Sequence, residues 1–230
     1  MRRAKAGAPE GLCVVAREQT RGRGRLDRSW HSPKDAGLYA SIVLRPKFEM
    51  ARWPLISLAA ALAVSDAIMK TFDLKVDIKW PNDILLKDRK LCGILSEAVE
   101  TDSRPAAIVG IGINLKKESV PPELVAQAIS IESATDATPD SEPLLDALLK
   151  AFGERYDLLH SNDGSEHTIR EWCANSSYAF DRRVRVSLPD ETFEGTTRGL
   201  ESDGALRVET DDGRLRLVRA GDVTSVRSTK

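Results

Sequence analysis

Gln19-Thr20-Arg21-Gly22-Arg23-Gly24-Arg25-Leu26-Asp27-Arg28-Ser29-Trp30 is dense in arginine, threaded with glycine and closed by a tryptophan. Alternate glycines let a backbone take positive φ and come close to a ligand. Arginine forks match carboxylates and phosphates, and an indole can stack on a flat ring. The stretch lies between two apolar segments, Leu12 to Ala16 and Leu38 to Leu44, that read as strands. A basic glycine loop held between strands suits a small ligand that is anionic and partly aromatic. It is not a P-loop, because no Gly-Lys-Ser/Thr follows at the required distance. Nor is it a dinucleotide fingerprint, since Asp27 stands where the third glycine would be. A solvated arginine-rich turn is the plain alternative, and composition alone leaves both open.

The totals narrow the class. A chain of 230 residues can hold one substantial core and a small second domain. With 34 basic against 35 acidic residues it has no global nucleic-acid footprint, which disfavours an RNA-binding module. Cys13, Cys92 and Cys173 are far apart and form no zinc spacing with His31, His160 and His167, so they read as small core residues. The apolar run Leu55 to Val64 is interrupted by Ser57 and is too short to span a bilayer. Met1-Arg2-Arg3-Ala4-Lys5 is not followed by a long apolar region, so it does not read as a signal peptide. A soluble cytoplasmic protein is expected.

Along the chain, Gly7 to Gly11 reads as a turn and Leu12 to Ala16 as a buried strand. Pro54 opens a helix to Phe72, with Leu55, Leu58, Leu62 and Ile68 at helical spacing. Val76, Ile78 and Trp80 alternate into a Pro81-Asn82-Asp83 turn. Ile84 to Leu86 and Leu91 to Val99 pair across Lys87-Asp88-Arg89-Lys90, and Ile108 to Leu115 is a further strand. Helices are expected from Pro121 to Ile129, Ser141 to His160 and Glu166 to Asn175, with a polar loop over Ser130 to Asp140. Short strands then follow at Val184–Leu188, Thr192–Thr197, Ala205–Glu209, Arg214–Val218 and Val223–Arg227, with tight turns between them. Their spacing predicts a small β-barrel of SH3-like size and a boundary near Phe180, dividing the chain into 1–179 and 180–230.

Three more motifs carry possible chemistry. In Lys79-Trp80-Pro81-Asn82-Asp83-Ile84 a strand delivers Lys79 to the sheet end. Asp83 would sit at the corner, able to help hold a divalent metal or a polar substrate group, or simply to shape a turn. In Lys90-Leu91-Cys92-Gly93-Ile94-Leu95, Lys90 could bond a carboxylate or phosphate, or be solvated, and Gly93 permits close backbone approach. In Gly110-Ile111-Gly112-Ile113-Asn114-Leu115 two glycines weaken an apolar strand and need a packing or ligand reason, and Asn114 could reach a ribose or phosphate.

Taken together, Gln-Thr-x-Gly-Arg-Gly-Arg…Trp, Lys-Trp-Pro-Asn-Asp, Lys-Leu-x-Gly-Ile-Leu-x-Glu and Gly-Ile-Gly-Ile-Asn-Leu resemble biotin protein ligase, also called biotin–acetyl-CoA-carboxylase ligase. The resemblance covers nearly the whole chain. It extends through Phe193-Glu194-Gly195, Arg198-Gly199 and Asp203-Gly204-Ala205-Leu206 into that family's last domain. It implies an α+β fold: a mixed β-sheet with packed helices of the class II synthetase-like, biotin–lipoate ligase type, followed by an SH3-like barrel.

It also implies an activity: biotin and ATP give biotinyl-5′-AMP and pyrophosphate, and biotin then passes to one lysine of a biotin carboxyl carrier protein. ATP and Mg2+ are the implied cofactors. No nucleic acid or membrane partner is implied, and a homodimer is left open. By resemblance, Arg23, Gly24 and Arg25 belong to the loop that closes on biotin and the adenylate. Gln19 bonds biotin's polar head, and Lys90 its carboxylate or the adenylate phosphate. Gly93, Leu95 and Gly112 shape the biotin side. Trp30 lies against the adenine, while Arg23, Lys79, Asn82, Asp83 and Asn114 hold the phosphates, magnesium and nucleotide. Arg182 matches a position that helps with ATP. Arg25 and Lys90 carry the catalytic charge.

The sequence departs from the family at two places. Asp27 stands where the family's loop usually has glycine. A strand and a biotin-binding Ser-Thr-Asn turn, expected before Arg3-Ala4-Lys5-Ala6-Gly7-Ala8-Pro9-Glu10-Gly11, have no counterpart in these residues, and the form expected is the one without an N-terminal DNA-binding domain. The rival readings are a lipoate–protein ligase of the same fold and a truncated or inactive paralogue that binds ligand without catalysis.

Overall fold

Alternating and continuous apolar runs fold the chain into two sheets, with one alanine-rich helix buried against the first. The computed structural model describes residues 1–102 and 104–226. A single helical turn, α1 (Arg2–Lys5), precedes β1 (Cys13–Ala16) and β2 (Gly37–Leu44). After α2 (Pro54–Phe72) come β3 (Asp77–Lys79), β4 (Asp83–Leu86), β5 (Arg89–Val99) and β6 (Ala106–Asn114). These strands form one sheet in the order β1-β2-β6-β5-β4-β3. Every neighbouring pair in it is antiparallel. A parallel element joins it as the isolated bridge between Lys90 and Ala128. At the sheet edge β1 leaves Val14 and Val15 exposed, 41% and 48%, rather than buried as expected.

One face of the sheet receives α2. Pro54 at its first turn fits because a proline there has no backbone bond to lose. Its buried residues include Leu55, Ile56, Leu58, Ala59, Ala60, Ala61 and Leu62, so it is apolar nearly all round. A helix of that kind belongs inside a core. Met50–Phe72 is long and apolar enough to cross a membrane by length and composition. Here it is the core instead, because the chain packs α4 (Ser141–Leu158) and α5 (Gly164–Ala174) on its other side.

Between the sheet and those helices, the expected helix over Pro121 to Ile129 is a 3-10 turn, Pro122–Leu124, and the helix falls at α3 (Ile131–Thr135), inside the expected loop. Tertiary pairing decides this. Lys90 N donates to Gln127 O at 2.8 Å and Ile129 N to Lys90 O at 3.0 Å, which holds residues 127–129 against the strand and ends the turns before them. Ser130 then caps α3 by accepting from Ser133 N at 3.1 Å.

The second sheet comprises β7 (Phe180–Ser187), β8 (Thr192–Leu200), β9 (Leu206–Glu209), β10 (Leu215–Val218) and β11 (Asp222–Ser225). Its antiparallel order is β10-β9-β8-β7-β11, consistent with an SH3-like domain and, among the described residues, a linear ladder. The last expected strand was to reach Arg227, which lies outside the described residues.

The two sheets meet at a defined seam. Trp80, 2% exposed, donates its indole N–H to Gly204 O at 3.0 Å. Gly204 has φ +84 and lies against Leu55 and Leu58 of α2. Ser177 donates its backbone N–H and its hydroxyl to the Asp77 carboxylate at 2.8 and 2.6 Å, tying the approach to the second sheet onto β3. Trp80→Phe should therefore leave a buried carbonyl without its donor. The expected loss is about 1–3 kcal/mol of unfolding free energy in urea titration.

Candidate active site

The arginine-glycine stretch forms a hairpin-like excursion between β1 and β2. Gln19 N donates to Ser32 O at 3.0 Å, Trp30 N to Gly22 O at 2.9 Å, and Gly24 N to Arg28 O at 2.6 Å. Arg28 N reaches Arg25 O at 3.2 Å, so the tip is a β-turn centred on Leu26 and Asp27. Both of those residues have positive φ, 53° and 57°. The positive φ expected at the glycines thus falls on the two residues between Arg25 and Arg28. Aspartate tolerates that region better than most side chains, which accounts for Asp27 in a place that favours glycine. Gly22 is needed for a different reason: a Cβ there would meet Trp30 O at 2.3 Å.

The loop is held at both arms. Arg23 grips Glu97 of β5 through two bonds, at 3.0 and 2.6 Å. Arg28 pairs with Asp222 of β11. Arg25 points inward, with Nη1 3.5 Å from Asn82 Oδ1 and 3.3 Å from Gly221 O. Burial lowers the pKa of its guanidinium, opposed by Asp222 and Asp83.

Beneath the loop lies the sheet face opposite α2. Gly93 pairs with Gly112, so that row of the floor has no side chain, and in the next row on that face Leu95 faces Gly110, so only one strand contributes one. Trp30 occupies that space. A Cβ on Gly112 would lie 2.5 Å from the indole nitrogen, and one on Gly93 would lie 3.1 Å from the ring. The glycines therefore have a packing reason, the seating of an indole across two strands.

A β-bulge supplies the cation. Ile84 pairs with Cys92 but Leu85 pairs with Lys90, so Leu91 is the extra residue. The bulge shifts the alternation of faces by one residue. Leu91 and Cys92 are both buried at 0% exposure, and Lys90 turns onto the face of Gly93. Its Nζ lies 2.6 Å from Asp83 Oδ1 and 5.5 Å from the Trp30 ring centroid. Lys79 Nζ is 4.0 Å from Asp83 Oδ2. Burial lowers the Lys79 pKa, Asp83 raises it, and Lys90 and Arg28 lower it further.

These elements line a cleft of about 830 Å³. That size suits a small-molecule site. Gln19, Arg23, Gly24, Arg25, Trp30, Lys79, Asn82, Asp83, Lys90, Gly93, Leu95, Gly112 and Asn114 all contribute to its lining. Ala40 and Ser41 give one part of it small walls, and Ile108 and Ile111 apolar ones. Asn82 is pinned by donating to Ile94 O at 2.7 Å. Asn114 is 3% exposed and spends its amide on Ile129 O at 3.2 Å, so here it fastens the 127–129 segment. Arg182 does not line the cleft; its Nε donates to Ser225 Oγ at 3.1 Å. Among the described residues no three His, Cys, Asp or Glu side chains gather to hold a metal. Asp83 is already flanked by two lysines. Sequence reasoning gave no role to Tyr178 and Asp222, which also line the cleft. They come from the far end of the chain and carry no local motif.

Known proteins share this architecture. Residues 2–114 match the Biotin/lipoate A/B protein ligase family, and residues 179–224 match the Biotin protein ligase C terminal domain. The biotin–[acetyl-CoA-carboxylase] ligase of Mycobacterium tuberculosis is 31% identical over 231 residues, which span 98% of this chain and 83% of that protein. The bifunctional ligase/repressor BirA of Bacillus spizizenii is 35% identical over 223 residues, 94% of this chain and 67% of that one. The biotin protein ligase of Aquifex aeolicus, solved with biotin and ATP, superposes with a TM-score of 0.82 at 29% identity, covering 96% of this chain and 91% of that chain. The chain belongs to the biotin protein ligase family.

The floor makes a direct prediction. Gly112→Ala should push against the indole and destabilise the fold by about 1–3 kcal/mol in denaturant titration. A Cβ on Gly110 would meet nothing closer than Leu95 O at 3.6 Å. Gly110→Ala should stay within about 0.5 kcal/mol of the parent while narrowing the cleft.

Proposed function

We propose that this chain is a biotin–protein ligase: it activates biotin with ATP to biotinyl-5′-AMP and transfers biotin to a lysine of a biotin carboxyl carrier protein. The observation that carries the reading is one cleft with small or apolar walls at Ala40, Ser41 and Ile108 and with Arg25, Lys79 and Lys90 gathered under a single loop. In the first half-reaction a biotin carboxylate oxygen attacks the α-phosphorus, and the bond to the β-phosphate bridging oxygen breaks. Two anions must meet, so the site has to neutralise charge rather than provide a nucleophile. In the second, the carrier lysine's neutral amine attacks the acyl carbonyl and AMP leaves.

The roles follow from position. Lys90, turned inward by the bulge, meets the biotin carboxylate and the adenylate phosphate, and Lys79 with Asn82 meets the polyphosphate. Arg25 covers the adenylate from the loop, Arg23 steadies the loop's first arm, and Gly24 lets it pass close. Gln19 faces the ureido head with Leu95 beside it, while Gly93 and Gly112 make room for the Trp30 indole, which lies along the adenine. Asn114 supports the wall. Mg2+ would supply charge neutralisation as the counter-ion of ATP. The described residues offer no cage for it, and Asp83 is the nearest carboxylate to the two lysines, so no step here depends on a protein-held metal. The division into 1–179 and 180–230 belongs to the same reading: the first part holds the substrates, and the second braces the loop through Asp222.

The test is pyrophosphate release with biotin or lipoate and ATP, followed by labelling of a carrier domain. Biotin-dependent release and labelling are expected; labelling with lipoate alone would favour a lipoate–protein ligase, and no turnover with either acid would favour the non-catalytic reading. Lys90→Ala should lower pyrophosphate release by about a hundredfold or more, since it removes the charge at the reacting centre. Arg25→Gly should still form the adenylate but release it on the order of tenfold faster, measured as free biotinyl-5′-AMP during turnover without carrier.

A further inference from the structure

Arg182, which lies outside the cleft, is stacked on a residue that lies inside it. Its guanidinium carbon is 5.2 Å from the ring centroid of Tyr178. Tyr178 is 5% exposed and lines the cleft, and Lys79 Nζ lies 6.0 Å from the same centroid. The ring is firmly placed. Tyr178 N donates to Ser176 Oγ at 3.1 Å, Ser176 donates to Ile78 O, and Ser177 grips Asp77, all on or beside β3, which ends at Lys79.

We propose that Tyr178 is a positioning residue for the nucleotide, its ring holding the Lys79 ammonium toward the phosphate site, with Arg182 acting through that ring rather than by contact. The inference rests on reading Lys79 as a phosphate-binding group. The physical need is clear. The Lys79 side chain is 18% exposed and has Asp83 as its close carboxylate, with Asp222 further off, while Lys90 and Arg28 repel it. Another carboxylate would steady the ammonium but would also repel a polyphosphate. An aromatic face attracts the cation without adding a formal negative charge. Tyr178 itself stays neutral, because burial raises its hydroxyl pKa despite the nearby Arg182, and Asp77 and Asp88 raise it further.

Steady-state pyrophosphate release by the full chain tests this. Tyr178→Leu should raise the KM for ATP about fivefold and leave the KM for biotin unchanged. It should also move the alkaline limb of kcat/KM for ATP to lower pH. Lys79 is charged only below its pKa, burial already depresses that pKa, and loss of the ring depresses it further. Tyr178→Phe keeps the ring and should behave as the parent in both respects. Arg182→Gln should raise the KM for ATP in the parent but not in the Tyr178→Leu background. If Tyr178→Leu does not fold, Tyr178→Met, similar in volume and without a ring, carries the same expectations. A parental KM and pH profile in the ringless variant, or identical defects in Phe and Leu variants, would overturn the proposal. Lys79→Ala separates the two layers: a parental KM for ATP there defeats the phosphate-site reading itself, and the proposal with it. A raised KM there with a parental Tyr178→Leu defeats Tyr178 alone.

Discussion

The pairing of Gly93 with Gly112 across β5 and β6 is the constraint from which the site follows. Where neighbouring strands face each other without side chains, the sheet has a hollow, and a large flat group can lie in van der Waals contact with the backbone. Trp30 fills part of that hollow. The loop that ends at Trp30 is thereby laid across the sheet, and the arginines before it are brought over the cleft. The Leu91 bulge then completes the arrangement by turning Lys90 to the same face. One geometric allowance and one extra residue place an indole, a lysine and an arginine loop together.

Charge balance is the second theme. The cleft gathers Arg25, Lys79 and Lys90 around the carboxylate of Asp83, partly out of water. Such a group of cations repels itself, and the fold offsets this with Asp83 inside, Glu97 at the loop's first arm and Asp222 from the second sheet. The excess of positive charge that remains suits an anionic ligand. The second sheet is thus part of the site: it reaches the loop through Asp222 and Gly221, and Tyr178, just before its first strand, reaches Lys79.

Much of this was legible from residue order. The arginine-glycine loop between strands, the Lys79 to Asp83 corner, the Lys90 to Leu95 strand and the glycines at 110 and 112 are local patterns, and in the structure they line one cleft. What was not legible depended on partners far away in sequence. The segment before Ile129 is a run of tight turns rather than a helix, and its end is bonded to Lys90. Arg182 was assigned to the nucleotide by resemblance, and its guanidinium is stacked on Tyr178, a neighbour that no local motif announced.

The sequence by itself determined the set of elements, the alternation of strand and turn in the last fifty residues, and the chemical types available to the site, since periodicity and motif spacing are local properties of a chain. Only the tertiary structure decided which face each charge occupies. A bulge reverses the alternation at Lys90, a turn moves positive φ from the glycines to Leu26 and Asp27, and a seam between sheets brings Tyr178 and Asp222 to the cleft. Each of these depends on which strands pair and in what register, and that is settled by the packing of the whole chain.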